Sequence, residues 1–258
     1  MDATVSEWLN LIFRWIHVIA GVMWIGHLWY FNFVNSQVAK TYDADSKKKV
    51  LPEVMSRALY WFRWGAMYTL ITGILLLGIV YYMGGITLPS YSPGASAGIG
   101  LGLLVVSFLV YDLLWKSPLA KNEMVGGVVS FVLVVAVTFG LTKVFPGRGV
   151  FMHVGAMFGF IMATNVWMRI WPNQRKIIAG VKGTAAAPDP SVPAVAGLRS
   201  KHNTYMSVPL MFFMVSNHFP TVYGSDLNWV IAAAFIAVGW VLTKLMFNKS
   251  ATPAPAAF

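Results

Sequence analysis

Seven mostly apolar runs dominate this chain: about Trp8–Phe33, Tyr60–Met83, Ala97–Trp115, Met124–Thr142, Val150–Trp171, Thr204–Phe219 and Trp229–Phe247. Each is close to the roughly 20 residues that an α-helix needs to cross a bilayer. Of 258 residues only 11% are charged, where a soluble domain carries about 25%. The runs therefore predict an all-α, polytopic membrane helix bundle of about seven transmembrane helices. It reads as a single transmembrane helical domain over 1–250, with an inner linker at about 172–203 whose Gly183–Gly197 stretch is flexible and rich in Ala and Pro, and a disordered tail at 251–258. The sixth run is short and carries Pro209, which predicts a kink or a tilt there.

A net charge of +10 suggests nucleic acid until the charges are assigned to sides. With the amino terminus outside, the inner loops hold thirteen Lys and Arg (40, 47, 48, 49, 57, 116, 121, 175, 176, 182, 199, 201 and 249) and the outer side only Lys143 and Arg148. That asymmetry is the positive-inside pattern, so the basic excess is topological and no nucleic-acid partner is expected. Seven spans put the carboxyl terminus inside. The acidic amino terminus and long first run, without a small-residue cleavage site, read as a retained helix.

Ionisable residues within a membrane are costly and mark cavities, cofactors or proton paths. Five histidines are present, and the absence of cysteine excludes disulfides, iron–sulfur ligation and covalent c-type haem. Neutral imidazole on haem iron is then the natural use. At about 1.5 Å rise per residue, His17, His153 and His218 converge on the outer leaflet. His27 lies in the inner half of the first helix and His202 at the inner mouth of the sixth. His202 and His218 are sixteen residues apart, roughly 24 Å in a helix, enough for one redox centre per leaflet. Arg14, one turn before His17, is a candidate partner for a haem propionate. Gly21, Gly155 and Gly159 would let a flat macrocycle approach a backbone. The bland alternatives are interhelical hydrogen bonds for the histidines, helix packing for the glycines and snorkelling for Arg14.

Asp112 and Lys116 are spaced for an ion pair. Asn165 and Asn217 are candidate interhelical hydrogen-bonding residues, and Asn203 and Tyr205 flank a small-molecule mouth at His202. No phosphate loop, nucleophile triad or carboxylate dyad appears.

Three segments carry a resemblance: Phe13–Phe33 (FRWIHVIAGVMWIGHLWYFNF), Met152–Lys176 (MHVGAMFGFIMATNVWMRIWPNQRK) and His202–Pro220 (HNTYMSVPLMFFMVSNHFP). They resemble the membrane domain of the PuuD-type urate oxidase (urate hydroxylase) family, along nearly the whole chain. The resemblance implies a bacterial inner-membrane redox protein whose electrons leave through a cytochrome c, with family histidines at His17, His153, His202 and His218. Two departures stand out. The chain stops after its last helix and has no cysteine, so the fused c-type cytochrome of the family is expected to be a separate subunit. His27 stands where the family usually has a small residue, which makes it an additional ligand candidate.

Three functions follow as expectations. The first is a b-type electron-transfer subunit with one or two haems. It would link a quinone, a substrate or a partner dehydrogenase to a separate c-type cytochrome or oxidase of a respiratory chain, and quinone is a further candidate cofactor. The second is a membrane enzyme oxidising urate or a related purine, with Asn203, Arg199 or Arg14 donating to an anionic planar substrate. The third is a non-redox structural subunit, or a transporter with histidines as a proton relay.

Overall fold

The computed structural model describes residues 2–252, and among them every regular element is helical. Seven long helices follow the seven apolar runs. They are α1 (Ala3–Val38), α2 (Ala44–Tyr82), α3 (Pro93–Leu114), α4 (Glu123–Leu141), α5 (Gly147–Lys182), α6 (Ser191–Ser216) and α7 (Asn228–Ala251). All but α6 are long and apolar enough to cross a membrane. The apolar run of α6 is interrupted by Arg199, Lys201, His202, Asn203, Thr204 and Ser207, and the helix continues through Pro209.

The helix ends obey local chemistry. Ser92 caps α3 by accepting from the Ala95 N–H at 3.2 Å, with Pro93 at the first helical position. Asn122 caps α4 through the N–H groups of Met124 and Val125. Gly183, at φ +79°, ends α5 in the left-handed conformation that suits glycine. The stretch expected as a linker at 172–203 is mostly helix, leaving only 183–190 irregular between α5 and α6. Pro172 sits in the first turn of the last segment of α5, and Pro190 precedes a start fixed by Asp189. The Ser191 hydroxyl and backbone N–H hold the Asp189 carboxyl below its ordinary value, the latter bond being 2.8 Å. Of the expected tail, Ala251 closes α7 and 253–258 lie outside the described residues.

Three helices carry a π-helical turn, at Tyr30–Asn35, Leu77–Tyr82 and Val166–Ile170. Such turns act as one-residue insertions in an α-helix and concentrate at functional sites. The most apolar stretch of α5 is 72% buried, against 17–28% for the other five candidate spans, so α5 is the core helix.

The chain forms two compact units. The first holds the residues up to Ile16 together with Leu70–Ile161 and Pro209–Val238, and the second holds His17–Thr69, Met162–Val208 and the residues from Gly239 on. In the first, α5 packs on α6 through Phe151 and Phe158 against Phe213, with Gly155 giving clearance for Phe213 and Met214. In the second, Gly65 of α2 lies against the α1 backbone at Ala20 and Trp24, where an added Cβ would come within 3.1 Å. Small residues at such crossings allow the dispersion contacts that hold membrane helices together.

Candidate functional site

In the first unit, π-turn residues Tyr81 and Tyr82 organise two adjoining sets of polar groups. The His153 imidazole is fully buried on α5. Its Nδ1 lies 2.7 Å from the Gly149 carbonyl, four residues back. A carbonyl only accepts, so Nδ1 carries the proton and Nε2 holds the lone pair. That lone pair accepts from the Tyr82 hydroxyl at 3.0 Å. Phe145 stacks on the ring at 3.9 Å. Gly100 of α3 completes the enclosure, because a Cβ there would run into the Tyr82 hydroxyl and lie 2.7 Å from Nε2.

The second set centres on Asn217, just beyond α6. Its Oδ1 accepts from Arg148 Nε at 2.6 Å and from the Tyr81 hydroxyl at 3.2 Å. The Arg148 guanidinium also lies 5.9 Å from the centre of the Tyr81 ring. Arg14, in the same unit, donates through Nε and Nη2 to Asn10 Oδ1 at 3.3 and 3.1 Å. His218, next to Asn217, is exposed.

In the second unit His27 repeats the start of the His153 arrangement. Its Nδ1 lies 2.7 Å from the Met23 carbonyl, so its Nε2 also holds the lone pair. Here Nε2 has no hydrogen-bond partner among the described residues. The ring lines a groove of about 660 Å³ with Val22, Met23, Gly26, Tyr30 and Trp61. Nothing lies within 4 Å of a Cβ added at Gly26. His17 and His202 also belong to this unit, both half-buried.

Buried amides occupy the rest of the second unit's interior. Asn165 Nδ2 donates to Asn203 Oδ1, and Asn203 Nδ2 donates to the Met162 carbonyl, both at 2.9 Å. Trp29 donates to Ser207, and Asn32 to Ser200. Asn203 is therefore a buried cross-helix tie, not a lining of a mouth at His202. Arg63 is surrounded by aromatic rings, the nearest Trp171 at 4.1 Å, as its cation–π preference favours. The expected Asp112–Lys116 ion pair forms at 2.6 Å.

A haem ligand must present an imidazole lone pair, held in the right tautomer by a bond at the other nitrogen. His27 fits that demand, with its lone pair uncommitted beside a groove. His153 has the same tautomer, but its lone pair is occupied by Tyr82, and the Gly100 backbone lies close against Nε2. Gly155 and Gly21 face Phe213 and Thr69 respectively. Among the described residues no group of three or more His, Asp or Glu side chains could hold a metal ion. Sequence reasoning passed over Tyr81, Tyr82 and Gly100, and it read Arg148 only as an outer charge. The double tyrosine ahead of Met83 was the available signal.

Several long apolar helices and buried cross-helix amides define a multi-pass helical membrane protein whose exposed helix faces suit lipid. The chain belongs to the urate oxidase N-terminal family, whose model matches residues 3–256. No curated protein and no solved structure matches it.

Proposed function

We propose that this protein is the membrane electron-transfer part of an oxidoreductase in a bacterial inner membrane. It takes electrons from a quinone, a substrate or a partner dehydrogenase and passes them to a separate c-type cytochrome or an oxidase. Its seven helices run with the amino terminus outside, as the distribution of Lys and Arg favours. The carrier is b-type haem, one or two per chain, which supplies reversible one-electron oxidation and reduction when bound. The observation that carries the reading is His27: a membrane-helix imidazole whose tautomer leaves Nε2 free of any protein partner. His17 and His202, in the same unit, are the candidates to share its work, and His218 is the exposed candidate of the first unit. His153 holds Tyr82 in the packed state, so ligation there requires that hydroxyl to turn aside. Arg14 remains a candidate propionate partner.

The test is a pyridine haemochrome spectrum of the purified protein, with haem counted per chain. One or two b-type haems are expected, and His27→Ala should lower the count or change the reduced spectrum. A folded, haem-free preparation from haem-replete cells would overturn the proposal.

A second reading, oxidation of urate or a related purine anion by this membrane part, draws on the family match over residues 3–256. Urate-dependent reduction of the protein in membranes is its expected sign, and no reduction at saturating urate would end it.

A further inference from the structure

The Asn217 cluster has an excess of donors. Arg148 Nε only donates, so the Asn217 oxygen must face it, and the Tyr81 hydroxyl donates to the same atom. The Asn217 NH₂ group points elsewhere and meets no protein acceptor. The Nη1 and Nη2 groups of Arg148 likewise have none. Arg14 commits Nε and Nη2 to Asn10 and keeps Nη1. Neither guanidinium has a carboxylate within ion-pair distance among the described residues.

The cluster is held in place by its backbone. Gly147, beside Arg148, is pressed against the Tyr223 carbonyl and the Asn228 amide so closely that a side chain there would collide. Tyr81 is only 3% exposed. Arg148 is thus anchored at Nε with its outer edge free, unlike a surface side chain sweeping through water. Apart from the Tyr81 oxygen, every uncommitted group is an N–H, and the Arg148 edge carries positive charge. Such a set disfavours cations and offers a neutral donor little to bond. It suits a planar anion with adjacent carbonyl or enolate oxygens, because a guanidinium edge binds two such atoms at once.

We infer that Arg148 and Asn217 form the anion-recognition part of a small-molecule site, with Tyr81 as the residue that positions them both. The ligand class is a small planar organic anion bearing several carbonyl oxygens, such as a purine anion; this rests on the urate-oxidising reading. The amide of Asn217 orients the anion that Arg148 binds.

The full chain in phosphatidylcholine nanodiscs should bind radiolabelled urate saturably, and the neutral planar purine caffeine should compete at least about tenfold less well. Asn217→Asp is the sharpest variant. It keeps the acceptor for Arg148 and Tyr81 but replaces the free donor by a negative oxygen, so urate binding should be lost while the melting temperature holds. Arg148→Gln should weaken binding about tenfold or more, with Arg148→Lys recovering part of it. Unchanged urate affinity in Asn217→Asp and Arg148→Gln would overturn the inference. So would phosphatidylglycerol retained by the unaltered protein but not by Arg148→Gln, without urate binding, because a lipid headgroup would then be the occupant. The two readings separate cleanly. Urate bound with no reduction leaves the site standing and removes the oxidising activity; reduction undisturbed in Arg148→Gln does the reverse.

Discussion

His153 and His27 begin alike and end differently. Each donates Nδ1–H to the carbonyl four residues earlier on its own helix, at the same 2.7 Å. Each therefore carries its lone pair on Nε2. In the first unit that lone pair is capped by Tyr82 and the ring is sealed by Phe145 and Gly100. In the second it faces a groove beside Gly26, with no partner. The local helix sets the tautomer in both cases. What the tautomer is used for depends on residues far away in sequence, and this is why equal-looking membrane histidines can serve unequal ends.

The comparison should break most visibly in stability. Replacing His153 by Ala leaves a cavity and strands the Tyr82 hydroxyl, at a cost of about 3 kcal/mol or more. His27→Ala should cost less than about 1 kcal/mol, because its groove is already open. Thermal unfolding in detergent measures both, and equal losses would erase the distinction. Next in size are the glycines. Gly100→Ala drives a methyl into the Tyr82–His153 pair and should destabilise by about 1–3 kcal/mol. Gly26→Ala meets open space on a helix and should be neutral or stabilising by up to about 1 kcal/mol.

Tyr82→Phe isolates one bond. It removes the donor on Nε2 and should cost about 1–2 kcal/mol while leaving the ring packing in place. If haem content or spectrum changes with it, His153 is closer to iron than its packing indicates. Smallest in energy is chemical reactivity, where no stability change is expected. Diethylpyrocarbonate should label His27 and exposed His218 readily and spare His153, read by peptide mass spectrometry. Rapid labelling of His153 would show that its enclosure opens.

The helices were readable because lipid makes apolarity and length sufficient: all seven runs became helices, and the Asp112–Lys116 pair followed from spacing alone. The stretch at 172–203 was not, because Pro and Ala occur both in linkers and in first helical turns. Capping by Asp189 and the left-handed Gly183 decided the outcome there. Asn165 and Asn217 could be picked out as hydrogen-bonding residues, but not with their partners. The partner of Asn165 is 38 positions away and those of Asn217 are 136 and 69 away. Tyr82 escaped notice for the same reason, standing 71 positions from His153. Helix periodicity assigns a residue to a face, and only packing assigns it a companion.

The π turn at Leu77–Tyr82 takes in more residues than an α turn, so neighbouring side chains diverge less around it. Tyr81 and Tyr82 consequently both face the interior, at 3% and 7% exposure. One reaches Asn217 and Arg148, the other His153. The two polar centres are thus joined twice, by the peptide bond between Tyr81 and Tyr82 and by α5, which carries both Arg148 and His153. A displacement of either hydroxyl, by a ligand at the Arg148 cluster or by loss of the bond at His153, must be taken up by the same turn of helix.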